Sequence, residues 1–266
     1  MHTIGRRIRP YLSTASMGAT AGIGEHPVVL LDHAIALLRL VLVVVIWRTI
    51  LRSQAAPEHP SPAALLTYVL LARVLIDQLD VRTGVVEAIW DGRITTRLLR
   101  PVSVFGDQLA EMAGGWWLRW VAVSLPALAL APVLGVDLAP ASAKRAAAFV
   151  VSLALSITVG AAVDFLFALV VIRWPESLWS FWFARDSLSP FVAGAVIPLT
   201  LLPWSIGTVL GWLPFAAMVS APLRIYTGDG DVLALLFSQA AWSVVLWSAT
   251  RQLWKRAAPS MVSFGG

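Results

Sequence analysis

Cysteine is absent from the chain. Disulfides, thiol nucleophiles and cysteine-ligated metals are excluded with it, while the redox compartment stays open. Charge is scarce too. Asp, Glu, Lys and Arg make up 13% of the 266 residues, against about a quarter in a soluble domain. Lysine is almost missing. Its two copies follow Ala143 and Trp254, so no Gly-Lys-Ser/Thr loop exists to hold nucleotide phosphates, and nucleotide hydrolysis by that route is excluded. The histidines, His2, His26, His33 and His59, show neither HxxxH nor HExxH spacing. They read as isolated interface residues, not as a metal site. No polar stretch is long enough to fold as a separate soluble domain, and no internal repeat is evident. The net charge of +5 lies in basic residues flanking apolar runs. That is the pattern of membrane orientation, not of nucleic-acid binding.

What the chain does have is apolar surface. Hydrophobic residues reach 58% and mean hydropathy is +0.78. Runs of about 20 apolar residues match the hydrocarbon core of a bilayer, about 30 Å thick. The expected class is therefore an all-α membrane protein, a single transmembrane domain over 1–266, of six transmembrane helices. An N-terminal interfacial helix is expected within 1–27. Ile4, Ile8, Leu12 and Ala15 recur at helical spacing there, with Arg6, Arg7 and Arg9 on other faces. No apolar h-region follows those arginines, so a cleaved signal peptide is not expected.

The spans fall at Val28–Ile50, Ala63–Leu79, Leu109–Leu134, Ala146–Ile172, one within Ser187–Leu223, and Val232–Thr250. Arg173–Asp186 reads as a short charged loop. Ser187–Leu223 is too long for one span and too broken by Pro190, Pro198, Pro203, Pro214 and Pro222 for two. One span plus a re-entrant helical hairpin suits it, since irregular backbone at that depth is tolerated only against protein or a cavity. Counting Lys and Arg in the connecting segments, with Arg48 at the end of the first span, gives twelve on one side and five on the other, which places both termini in the cytoplasm.

Asp164 is the most unusual residue, an acid inside the apolar run ITVGAAVDFLFALVV. Its neighbours three and four residues away are Gly160, Ala161, Phe167 and Ala168, so its own helix offers no partner. An intramembrane acid faces a cavity or a partner on another helix. Two readings follow: a site for a proton or a cationic substrate, or an interhelical pair with Arg39, Arg73 or Arg119. Arg73 and Asp77, four residues apart, read as a local pair. The polar segment 80–108 contains IWDGRITTRLLRPVS, with Ile89, Ile94 and Leu98 on one side and arginines around them. It reads as a cytoplasmic loop, either held at lipid headgroups or presenting a docking surface rich in arginine.

Two segments carry a family resemblance. Trp90, Gly92, Ile94, Leu98, Leu99, Arg100 and Pro101 follow a W-x-G-x-I-x-x-x-L-L-R-P pattern. Phe191, Gly194, Ile197, Pro198 and Leu199, then Leu213, Pro214 and Phe215, then Pro222, Ile225, Tyr226 and Gly228, and finally Gly265 and Gly266, follow in order. From Tyr68 onward the chain resembles the membrane subunit of type-2 ABC exporters, in the branch related to the viologen exporters. The resemblance implies a half-transporter. Two permeases, identical or homologous, would pair with two cytoplasmic ATPase subunits, which would bind ATP and Mg; this chain would hold no cofactor. The loop 80–108 would be the coupling element, through Trp90, Gly92, Arg93, Ile94, Leu98, Leu99, Arg100 and Pro101. The region 190–228 would form an extracellular gate, with Gly194, Pro198, Pro203, Pro214 and Phe215. The expected location is a bacterial cytoplasmic membrane. Two rival readings stand beside it: a proton-coupled carrier or channel using Asp164, and a membrane assembly factor.

Overall fold

In the computed structural model, residues 2–21, 27–53, 61–100, 102–174, 176 and 178–263 are described, and among them every regular element is helical. Helix α1 spans His2–Ala21 and α2 spans Pro27–Ser53. Helix α3, Pro62–Val74, starts where Ser61 accepts a hydrogen bond from the Ala64 amide and Pro62 presets the first turn. The helix breaks at Leu75 and resumes as α4, Ile76–Leu79. Because the Gln78 amide turns to the Leu75 carbonyl, the Val74 carbonyl is left over. Ser124 Oγ donates to it at 2.9 Å. A break in an apolar helix thus has its freed acceptor satisfied by a neighbouring helix.

Helices α5, Val85–Trp90, and α6, Arg93–Leu98, form a short elbow turned by Gly92 at φ 73°. That left-handed backbone favours glycine. Helix α7, Val104–Arg119, continues through a π-helical turn at Trp120–Ser124 into α8, Leu125–Leu130. Pro126 lies in the first turn of α8 and has no amide to give to the preceding turn, and the wider π turn absorbs that loss.

Helix α9, Ala143–Arg173, is the centre of the fold. At 31 residues it is about 46 Å long. In its most apolar stretch 56% of residues are buried, against 11% in α2 and in the final helix α14, Val232–Ser263. So α9 is surrounded by protein, while α2 and α14 turn apolar faces outward. Part of its buried face is small (Ser152, Ser156, Gly160, Ala161, Ala162), which lets backbones approach. A Cβ on Gly160 would lie 2.9 Å from Val81 Cβ. Among the described residues, three helices are long and apolar enough to cross a membrane: Leu31–Arg52, Ala143–Arg173 and Val232–Ala257. Pro62–Val74 is a shorter apolar helix.

The proline-rich stretch begins earlier than the sequence indicates. Helix α10 spans Leu178–Val192, so Arg185 and Asp186 lie inside a helix and not in a charged loop. A 3-10 turn at Leu199–Leu201 follows, then α11, Ile206–Gly211, α12, Pro214–Met218, and α13, Ser220–Thr227. Helix α11 has no buried residue, whereas α12 and α13 are largely buried. Their irregular backbone is paid for by side chains. Gln239 donates to the Ala217 carbonyl at 2.8 Å, and Ser156 Oγ donates to the Met218 carbonyl.

Helix α1 lies along α7, with Thr14 and Gly18 buried and Leu12 exposed. No room exists for a Cβ at Gly18 or Gly114, which face the backbones of Glu111 and Ala15. The apolar stripe seen in the sequence is therefore not the contact face at Leu12; small residues make that contact. The side chains of Ile4 and Ile8 lie outside the described residues, as do Gly265 and Gly266.

Candidate functional site

Three groups of residues carry chemistry. The first is the α5–α6 elbow. Ile94 is buried, and Leu98 is half-buried against an apolar cluster that includes Val85, Val86, Phe165 and Trp254. The elbow therefore rests on α9 and α14. On its outer side Trp90 is 56% exposed and Leu99 85% exposed. Arg93 pairs with Asp91 at 2.9 Å on the surface. Pro101 lies outside the described residues.

A buried clamp fixes the elbow to α7. Asp107, 2% exposed, takes Arg97 at 3.0 Å and the Thr14 hydroxyl at 2.7 Å. Arg97 also pairs with Glu111 at 2.5 Å, while Arg100 stands 3.7 Å from Asp107. Three elements, α1, α6 and α7, thus meet at one carboxylate. Sequence reasoning missed Arg97, Asp107 and Glu111 as a unit. The available signal was the spacing of Asp107 and Glu111, four apart on one helix face and within reach of the arginine-rich loop.

The second group surrounds Asp164. The sequence points to Arg39, Arg73 or Arg119 as its partner; the structure supplies Arg185 of α10. Asp164 Oδ2 accepts from the Thr83 amide at 2.7 Å and the Thr83 hydroxyl at 2.6 Å, and Oδ1 takes Arg185. Arg185 also donates to the Val81 carbonyl at 2.6 Å and lies over the Phe167 ring. Next to it Arg82 bridges Asp80 at 3.1 Å and Asp186 at 2.6 Å. Burial weighs against the charge of Arg82, yet the carboxylates of Asp80 and Asp186 hold its guanidinium above its ordinary pKa. With three donors on it, Asp164 is a staple between α9, α10 and the segment 81–83.

Arg39, Arg73 and Arg119 form a separate group on α2, α3 and α7. The expected Arg73–Asp77 pair does not form; Arg119 takes Asp77 at 3.2 Å. The break at Leu75 lies between Arg73 and Asp77, so the straight-helix geometry behind a four-residue pair is lost.

In the gate segment, Gly194 adopts φ 81° just past α10, and Tyr68 OH donates to its carbonyl at 2.9 Å. Pro198 is buried and Pro203 exposed. Pro214 opens α12, and Phe215 packs on the main core. Trp204 and Ser205 hold positive φ without being glycine, a strained turn on the exposed side.

Residues 61–265 match the family described as ABC-2 family transporter protein. The chain belongs to this family. It is thereby an ABC-2 type permease, an integral membrane protein and the membrane component of a transporter, not its catalytic part. The family implies association with ATPase subunits. No curated protein matches the chain. The matched stretch contains the elbow, Asp164, Arg73, Arg119 and the gate segment. It leaves out α1, α2 and Arg39.

Proposed function

We propose that this permease is the membrane half of an ATP-driven exporter, of the viologen-exporter-like branch, in a bacterial cytoplasmic membrane. It has six spans with both termini cytoplasmic. Two such permeases, identical or homologous, enclose the translocation path, and two separate ATPases bind ATP and Mg. The segment after α10 dips back into the membrane as a re-entrant hairpin and gates the outer side.

One observation carries the reading. The elbow presents Trp90 and Leu99 to solvent on a base that is rigidly held from below. Exposed apolar side chains cost hydration free energy unless a partner covers them. The Arg97–Asp107–Glu111 clamp and the cluster at Phe165 and Trp254 tie that base to α7, α9 and α14. A push on Leu99 would reach three long helices with little compliance between. The rival reading, a proton-coupled carrier using Asp164, finds no support in the geometry, because Asp164 is already paired with Arg185.

The test is Leu99→Asp. The variant should reach the membrane at parental levels, since the side chain touches no core. ATPase co-purification should fall at least about tenfold, the scale of losing one well-buried apolar anchor at an interface. Undiminished co-purification and undiminished substrate-stimulated hydrolysis together would remove the elbow from the coupling role.

A further inference from the structure

Two cavities adjoin beside α3 and α7, with Ile76 and Arg119 in the walls of both. The first, about 370 Å³, is bordered by Asp77, Asp80, Arg82 and Trp116. The second, about 340 Å³, is bordered by Asp32, Arg39, Leu40, Arg73 and Val123. Their charges differ. The first sets two aspartates against two arginines and is balanced. The second sets Asp32 against three arginines, of which Arg119 already holds Asp77. Among the described residues no carboxylate lies within ion-pair distance of Arg39 or Arg73. Arg73 Nε is buried with no hydrogen-bond partner. Arg39 and Arg119 stand in the wall of the same cavity.

Arg39 is exposed, so the cavity opens at the surface of the chain, where such a surplus of charge is costly against lipid. Arginines inside spans face a water-filled cavity or a protein partner. Like charges gathered at reduced dielectric repel strongly, and an anion placed among them relieves that repulsion. The guanidinium fork also matches the oxygens of phosphate and carboxylate. Apolar side chains, Ile35, Leu40 and Val123, line the same cavity and suit an acyl or aryl group.

We infer that the cavity walled by Arg39, Arg73 and Arg119 receives the phosphate or carboxylate headgroup of an anionic amphiphile, and that this amphiphile is a transported substrate. The second half of that statement rests on the exporter reading; the first does not. In the proposed topology Arg82 and Asp80 lie at the cytoplasmic mouth and Arg39 near mid-membrane. Substrate would therefore enter headgroup first from the inner leaflet.

The test uses the full-length permease in phosphatidylcholine nanodiscs, with dodecyl phosphate as probe and dodecyltrimethylammonium as its cationic counterpart. Dodecyl phosphate should bind saturably, and the cation should not displace it. Arg73→Gln and Arg39→Gln should each weaken binding about tenfold or more, the scale of one charged hydrogen bond. Arg73→Lys should retain part of the affinity. If Arg73→Gln is not recovered folded, Arg39→Gln carries the same comparison. Equal affinity in the parent and the glutamine variants, or equal displacement by the cation, overturns the site.

Inside-out proteoliposomes containing the permease and its co-purifying ATPase separate the two sources of such a headgroup. ATP-driven uptake of dodecyl phosphate, lost in Arg39→Gln, supports a transported substrate. Binding that depends on Arg39 and Arg73, is competed by phosphatidylglycerol and shows no uptake marks a resident lipid and overturns the substrate claim. Binding needs no ATP, so a failed exporter reading and a failed anion site give different results.

Discussion

Asp164 and Arg185 are both almost fully buried, and each would be costly alone. Removing one member of a buried pair leaves the other charge uncompensated, at about 3–5 kcal/mol. Asp164→Ala should therefore lower the thermal unfolding midpoint of the detergent-purified permease and reduce its folded yield for every substrate alike. Combining Asp164→Leu with Arg185→Leu should recover much of the loss, because the pair is then removed whole. Normal stability of Asp164→Ala, with loss of cation export alone, would show that the residue faces the path instead. The partner itself was not readable in the chain. Arg185 stands 21 residues beyond Asp164, across the turn after α9, in a stretch whose composition resembles a charged loop. At Asp107 the same holds in milder form: an acid in the first turn of a helix is ordinary. Only the fold brings Thr14 and Arg97 onto it.

Among the elements, α1 and α7 show how little apolar area a helix pair needs when glycines allow contact. Gly18 and Gly114 bring backbones together, and Trp117 Nε1 donates to the Ala19 carbonyl at 2.9 Å. Gly114→Leu should push α1 away, since nothing flexible lies where its side chain would go. A cysteine at Thr14, buried in the parent, should then react with maleimide much faster than in an otherwise unchanged protein. An unchanged labelling rate would mean that α1 is not held at this crossing. The elbow was more legible. Alternating buried and exposed apolar residues around Gly92 are a local pattern, and Ile94 and Leu98 turn inward as their spacing implies. What stands beneath them, Phe165 and Trp254 from distant helices, is not a local property.

At the scale of the molecule, α9 is enclosed while α2 and α14 carry Leu38, Leu42, Ile46, Phe237 and Val244 outward. Those faces suit lipid or a second permease. The orientation gives a direct test, convenient because the chain has no cysteine. A cysteine at Asp137, which is exposed, should react with an impermeant reagent from outside intact cells, and one at Arg93 should react only after the membrane is opened. Reversed labelling would overturn the placement of both termini in the cytoplasm and, with it, the entry of substrate from the inner leaflet.

Composition and run length alone determined that this is a helical membrane protein, because the bilayer acts on each segment separately. A lipid-exposed apolar stretch must satisfy its own backbone by forming a helix, and this needs no knowledge of neighbours. Motif order and spacing carried the family as well. Tertiary structure alone decided which charges meet. Arg73 lies one helical turn from Asp77 in sequence, yet the break at Leu75 separates them and Arg119 takes the acid. Asp164 goes to Arg185, which leaves Arg39 and Arg73 with no carboxylate among the described residues. Electrostatic pairing depends on distance across the whole fold, and a sequence lists the candidates without their separations.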